Sequence, residues 1–89
     1  MLYINMEKTK YTIDFICYEQ DHIDNNNFIS CWFENVEYET LEEAIKFGYE
    51  FMKKRNYKYF FITKNGDLNQ FLFDSKIYDE TGKYKADDQ

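Results

Sequence analysis

The sequence predicts an α+β domain with the element order ββαββ, in which one amphipathic helix packs on one face of a four-stranded, mostly antiparallel sheet. Three observations support this fold class. Apolar residues alternate along two stretches, a capped amphipathic segment follows them, and an Asn-Gly pair then separates two more β-prone stretches. A helix covering a sheet is one of the few layer arrangements that bury an apolar face. We expect residues 1–89 to form a single domain, with less ordered ends at 1–9 and 79–89.

Two stretches before the helix have the alternating pattern of half-buried strands, residues 10–18 and residues 28–36. The polar segment between them, residues 19–27, is rich in Asp and Asn and is expected to be a turn region. Because strand pairing must collect the apolar residues on common faces, we favour a register that places the two cysteines opposite each other. This register pairs Cys17 with Cys31, Phe15 with Phe33 and Ile16 with Trp32.

The helix is predicted over Leu41–Arg55, where apolar residues recur on one face and charged residues on the other. Thr40 and Glu43 have the spacing of a capping box, in which each side chain accepts a backbone N–H of the other residue. Asn56 is expected to end the helix in a left-handed conformation. Gly48 lies on the apolar face, where glycine costs about 1 kcal/mol relative to alanine, so we expect it to permit a close approach to the sheet.

A hairpin is predicted after the helix, because Asn65-Gly66 separates two β-prone runs at residues 57–64 and 67–73. Asn-Gly favours the two-residue type I′ turn, which fixes the register of the strands beside it. On one face this register pairs Lys64 with Asp67, Ile62 with Asn69 and Phe60 with Phe71, and on the other it pairs Thr63 with Leu68, Phe61 with Gln70 and Tyr59 with Leu72.

The chain is acidic, with 11 basic and 17 acidic side chains and a net charge of −6. Nucleic acids and anionic membrane surfaces bind basic proteins, so neither is expected as a direct partner. The start of the chain lacks the pattern of a signal peptide, and no apolar run is long enough to span a bilayer. We therefore expect a cytoplasmic protein without contact to a membrane.

No motif in the sequence predicts catalysis, a cofactor or a metal ion. The single histidine, His22, lies in a loop of Asp and Asn residues, where a solvated side chain is the ordinary state. Cys17 and Cys31 are expected to be thiols that pack as small apolar residues. We therefore expect a protein that is not an enzyme. The alternative is a ligand-binding or enzymatic domain with a pocket between helix and sheet.

Large apolar side chains are predicted on both faces of the sheet, although one helix covers only one of them. The face turned away from the helix is therefore expected to be a protein-binding surface, and its coverage by the ends of the chain is the alternative. The candidate residues are the apolar Ile16, Tyr18, Trp32, Tyr59, Phe61 and Leu72, with the acidic Glu34, Glu37 and Glu39 around them.

These features favour a small acidic protein-binding module. The best hypothesis is an inhibitor, of the phage counter-defence (anti-CRISPR) or antitoxin type, that blocks a larger nucleic-acid-handling protein by direct binding. The acidic residues would steer a basic partner to the aromatic surface. The abundance of Lys, Asn, Ile, Tyr and Phe is typical of A/T-rich genomes and their mobile elements. A homodimer is an alternative use of the same surface.

The run FISCWFENVEYETLEEAI, residues 28–45, resembles the strand and following helix of HicB-type antitoxin domains and of other small ββαβ domains. The resemblance covers only the middle of the chain. The Pro- and Gly-containing loop of the HicB family is absent between Phe33 and Thr40. The resemblance implies a strand-then-helix order at these positions, and the chain is not assigned to that family.

Overall fold

The computed structural model describes residues 8–17 and 30–85 and confirms the predicted order of elements. The strands form one open four-stranded sheet of order β2-β1-β3-β4, in which every neighbouring pair is antiparallel. The strands β2 and β3, which precede and follow the helix, therefore lie on either side of β1. The elements are β1 (Thr9–Ile16), β2 (Trp32–Tyr38), α1 (Leu41–Arg55), β3 (Tyr59–Lys64) and β4 (Asp67–Asp74).

The helix α1 begins and ends at the predicted residues. The Thr40 hydroxyl accepts the N–H of Glu43 at 3.3 Å, and the Glu43 carboxylate accepts the N–H of Thr40 at 3.1 Å. At the other end Asn56 adopts the left-handed conformation with φ of 61°, and its N–H donates to the carbonyl of Met52. Both ends are thus set by residues close in sequence, and at the first end the side chains of Thr40 and Glu43 satisfy backbone groups that the helix itself leaves unpaired.

The core lies between α1 and the face of the sheet that it covers, which we call the helix-side face; the opposite face is the outer face. The Phe60 ring is central, with ring centroids 5.0 Å from Tyr49, 5.6 Å from Phe73 and 5.8 Å from Phe15. Edge-on, stacked and tilted aromatic pairs of this kind add to the free energy gained from burial. The buried residues of this core are Tyr11, Ile13, Phe15, Ala44, Ile45, Tyr49, Phe60, Ile62 and Phe73.

The register between β1 and β2 differs by one residue from the predicted one. Phe15 pairs with Trp32, and Asp14 pairs with Phe33. A shift of one residue exchanges the two faces of a strand, so Phe33 is on the outer face and Trp32 is on the helix-side face. The reason lies at the other end of β2, where Val36 and Tyr38 pack against the core and fix which face turns inward.

The β3–β4 hairpin follows the predicted register only next to its turn. Lys64 pairs with Asp67 across Asn65 and Gly66, which both have positive φ, but Thr63 then pairs with Phe71. The predicted Phe60–Phe71 pair is therefore wrong.

The irregularity in β4 has a local cause. The Asp67 carboxylate accepts the Asn69 N–H and the Gln70 side-chain N–H, both at 2.9 Å, and so competes with the ladder. Phe73 consequently takes the core position beside Phe60, and Phe71 lies on the outer face with its ring 5.0 Å from that of Phe61.

The segment that follows β4 folds back on itself within the described residues, which extend to residue 85. Tyr78 and Tyr84 form a β-bridge, and the Lys85 N–H donates to the carbonyl of Ile77 at 2.8 Å. The Tyr49 hydroxyl donates to the carbonyl of Tyr78 at 2.8 Å and ties this segment to the helix.

Cys17 and Cys31 form a disulfide, with their Cα atoms 6.1 Å apart, so the expectation of two thiols was wrong. The strand pairing brings them together, because the Cys31 N–H donates to the carbonyl of Phe15 at 2.9 Å. Disulfides persist chiefly in oxidising compartments. In a reducing compartment such as the cytoplasm the same two residues would be thiols.

Candidate protein-binding site

The predicted apolar surface on the outer face is not exposed as expected. Ile16 and Phe61 are both 0% exposed, so neither side chain is available to a partner in this conformation. Tyr59 is partly buried and packs against them. Phe71, which the predicted register had turned towards the helix, packs against Phe61 instead, with the two rings tilted by 44°. The placement of Ile16 and Phe61 on an exposed surface was therefore wrong.

The other predicted residues do not form one cluster. Tyr18, like His22, lies outside the described residues. Leu72 lines an open depression with Leu41 and Ile45 of the helix, at the β4 edge of the sheet. Trp32 lies at the opposite edge, in β2, and on the helix-side face.

Two adjacent aromatic side chains are exposed at the start of β2. Trp32 is 46% exposed and Phe33 is 56% exposed, and they project from opposite faces of the strand. The Trp32 indole N–H donates to the carboxylate of Glu34 at 2.6 Å, which restricts the rotation of the ring. An exposed aromatic pair of this kind is a common feature of protein-binding sites.

Phe33 was absent from the predicted site because the one-residue register error turned it towards the core. The alternation of residues along β2 does indicate that Phe33 turns outward. Val36 and Tyr38 alternate with charged or polar residues over the second half of β2, and placing both of them inward turns Phe33 outward.

The position of β2 at an edge of the sheet exposes its main chain. The Lys10 carbonyl accepts the Asn65 N–H at 2.8 Å, so the backbone groups of Lys10 point towards β3. Because backbone groups alternate in direction along a strand, every second residue of β1 counted from Lys10 bonds to β3, and the residues between them bond to β2. The partners of those intervening residues are Trp32, Glu34 and Val36. The N–H and C=O groups of Phe33, Asn35 and Glu37 therefore point away from β1, and we call these groups the β2 edge.

The surroundings of the β2 edge are mainly acidic, with Lys10 of β1, which pairs with Glu37, as a basic residue beside it. Residues 32–43 contain the glutamates Glu34, Glu37, Glu39, Glu42 and Glu43 and no basic residue. On the outer face, Asp14 of β1 lies opposite Phe33. Partial burial raises the pKa of the Asp14 carboxyl above its usual value, although a hydrogen bond from the Ser30 side chain acts in the opposite direction. An incoming partner would meet carboxylates on both sides of the aromatic pair.

Several open depressions in the surface are lined by described residues. One of them lies on the outer face beside β2 and is lined by Thr12, Phe33, Asn35 and Glu37, among others. Across the described ranges, no group of three or more His, Cys, Asp or Glu side chains could hold a metal ion. No helix among the described residues is long and apolar enough to cross a membrane.

Comparison with known proteins yields no relative. No protein-family model matches the chain, and neither a curated protein nor a solved structure is similar to it.

Proposed function

We propose that this chain is a small, acidic, non-catalytic protein-binding module that inhibits a larger nucleic-acid-handling protein by binding to it directly. The observation that supports this proposal is the adjacent exposed pair Trp32 and Phe33 within a stretch of five glutamates and no basic residue. Aromatic residues are enriched among those whose truncation most weakens protein interfaces. Carboxylates around such anchors speed the encounter with a basic partner.

The target class follows from charge. Proteins that bind nucleic acid present Lys and Arg side chains to the phosphates, and a protein with a net charge of −6 can occupy the same surface. An inhibitor of this type needs affinity and no chemistry of its own. Phage counter-defence proteins and antitoxins are the classes that such an activity would serve, and both would act in the cytoplasm.

The test compares wild type with the double variant Trp32→Ala/Phe33→Ala. The wild type, immobilised, is used to isolate a target, and the dissociation constant is measured with the purified target. Truncation of each aromatic anchor is expected to weaken binding by about 2 kcal/mol or more. Leu68→Ala is the matched control, because Leu68 is 47% exposed and lies in β4 at the opposite edge.

Inhibition is measured separately, as the displacement of a labelled nucleic acid from the target, followed by fluorescence anisotropy. Wild type and Leu68→Ala should displace it, and the double variant should not. A target that the folded double variant binds and inhibits as well as wild type does would refute this proposal.

A further inference from the structure

We infer that the β2 edge is a docking strand, on which an extended basic segment of the partner protein adds as a fifth strand of the sheet. This inference rests on the proposed function, because it specifies how the same part of β2 would hold its target. Strand addition combines main-chain hydrogen bonds, which give affinity, with alternate side-chain contacts, which give specificity.

The main chain of β2 is suited to this role. Phe33, Asn35 and Glu37 present their N–H and C=O groups at every second residue, which is the spacing that an antiparallel neighbour requires. The strand keeps one register with β1 over all seven of its residues. It is therefore a regular template.

The other edge of the sheet is less suitable. The register between β3 and β4 shifts twice, between Ile62 and Thr63 and between Thr63 and Lys64. Irregularities of this kind disrupt the row of hydrogen-bonding groups and protect an edge against pairing. Of the two edges of the described sheet, only β2 offers an unbroken row.

The charge of the β2 edge selects the occupant. Glu34 and Glu37 lie within the strand, and Glu39 follows it directly. A strand with Lys or Arg side chains would pair with these carboxylates, since opposite charges on neighbouring strands attract. A second copy of the chain would place one set of glutamates beside another, which is unfavourable. A basic segment of another protein is therefore the favoured occupant.

The side chains beside the β2 edge fit an alternating sequence. On the outer face, an added strand would face the depression that Thr12, Phe33 and Asn35 line. On the helix-side face it would meet Trp32 and Glu34, which are joined by the indole hydrogen bond. A segment that alternates apolar and basic residues can fill the depression and meet the carboxylates.

The probe is a synthetic peptide that alternates lysine and valine, with a second peptide that carries an N-methyl group on every backbone nitrogen. Binding is followed by NMR amide exchange. Addition of the unmodified peptide should slow exchange at Phe33, Asn35 and Glu37, whose N–H groups point outward. The N-methylated peptide has the same charge but no backbone N–H to donate on either side, and it should bind about tenfold or more weakly.

A variant of the protein tests whether the outward N–H groups of β2 bind the peptide. Asn35→Pro removes one outward N–H and no bond to β1, a position where an edge strand tolerates proline. Asn35→Ala is the control, because both variants lose the hydrogen bond that the Thr12 hydroxyl donates to the Asn35 side chain at 2.8 Å. Asn35→Pro should weaken peptide binding about tenfold or more relative to Asn35→Ala.

Three results would overturn strand addition: no binding of the unmodified peptide, equal binding of the N-methylated peptide, or equal binding by a folded Asn35→Pro variant. A wild-type dimer that Asn35→Pro dissociates would also overturn it, because the occupant would then be a second copy. If Asn35→Pro holds the isolated target normally while Trp32→Ala/Phe33→Ala does not, strand addition fails and the proposed function stands. If neither variant affects the target, the proposed function fails.

Discussion

Phe60 occupies the space that a side chain at Gly48 would need. A Cβ atom added at Gly48 would overlap the outer edge of the Phe60 ring, and that ring is fully buried. The glycine therefore sets how closely the helix approaches β3.

The contact predicts that Gly48→Leu overpacks the core and lowers the free energy of unfolding by about 1–3 kcal/mol. Gly48→Ala is the finer test, because alanine is favoured over glycine by about 1 kcal/mol in a helix and only the clash opposes that gain. Both are measured by urea denaturation. When Phe60 is also replaced by leucine, Gly48→Leu should lower the free energy of unfolding by a smaller amount. An unchanged or higher midpoint in Gly48→Leu would show that the two positions do not touch.

Thr12 and Thr63 face each other across β1 and β3, and we expect substitution by valine to have opposite effects on stability at these two positions. The Thr63 hydroxyl is fully buried and has no hydrogen-bond partner in the described structure, whereas the Thr12 hydroxyl donates to Asn35 at 2.8 Å. Thr63→Val should raise the free energy of unfolding by about 1 kcal/mol, since it removes an unsatisfied polar group. Thr12→Val should lower it. Equal effects in denaturant unfolding would contradict the assignment.

The Asp14 carboxyl is expected to make stability depend on pH. Partial burial raises its pKa in the folded protein above 3.8, so the folded state holds this proton more tightly than the unfolded state. The stability that protonated Asp14 contributes is therefore lost as the pH rises through the raised pKa. At neutral pH the carboxyl is ionised, and its partial burial destabilises the folded state. Asp14→Asn should unfold at a higher urea concentration at pH 7, with a smaller advantage at pH 3. A variant advantage that grows on acidification would refute this.

Tyr49 is expected to govern stability in base. Burial, followed by the charges of Asp79, Glu80 and Asp74, raises its pKa to about 12, and its hydroxyl donates to the carbonyl of Tyr78 at 2.8 Å.

The tyrosine side chain ionises at a lower pH in the unfolded state than in the folded state. Wild type should therefore lose stability as the pH rises from 10, the ordinary pKa of tyrosine, towards about 12, the pKa of Tyr49 in the folded protein. Tyr49→Phe should be less stable by about 1 kcal/mol at pH 7, from the lost hydrogen bond, and should lack this part of the alkaline decline. The check is a series of thermal unfolding curves between pH 9 and pH 12. Parallel profiles for both proteins would contradict it.

Features with short-range causes could be predicted from the sequence. The bounds of α1 depend on Thr40, Glu43 and Asn56, and the turn after β3 depends on Asn65 and Gly66. In each case the residues that decide the conformation are neighbours in the chain, so the pattern contains the cause.

Features that depend on pairing between distant residues could not be predicted from the sequence. Both faces of β2 carry large side chains at its start, so the choice between Trp32 and Phe33 depends on Val36 and Tyr38 further along the strand. The order of the strands depends on how the helix crosses the sheet, and it was this order that placed β2 at an edge. The candidate site was therefore only half predicted, with Trp32 included and Phe33 missed.

The bond between Cys17 and Cys31 makes the chain a closed ring with two arms. One arm contains β1, one of the two inner strands of the sheet, and the other contains β2 and everything after it. A single proteolytic cut between the two cysteines opens the ring but releases neither arm. Such a nicked molecule keeps β1 covalently attached and separates into two fragments only after reduction.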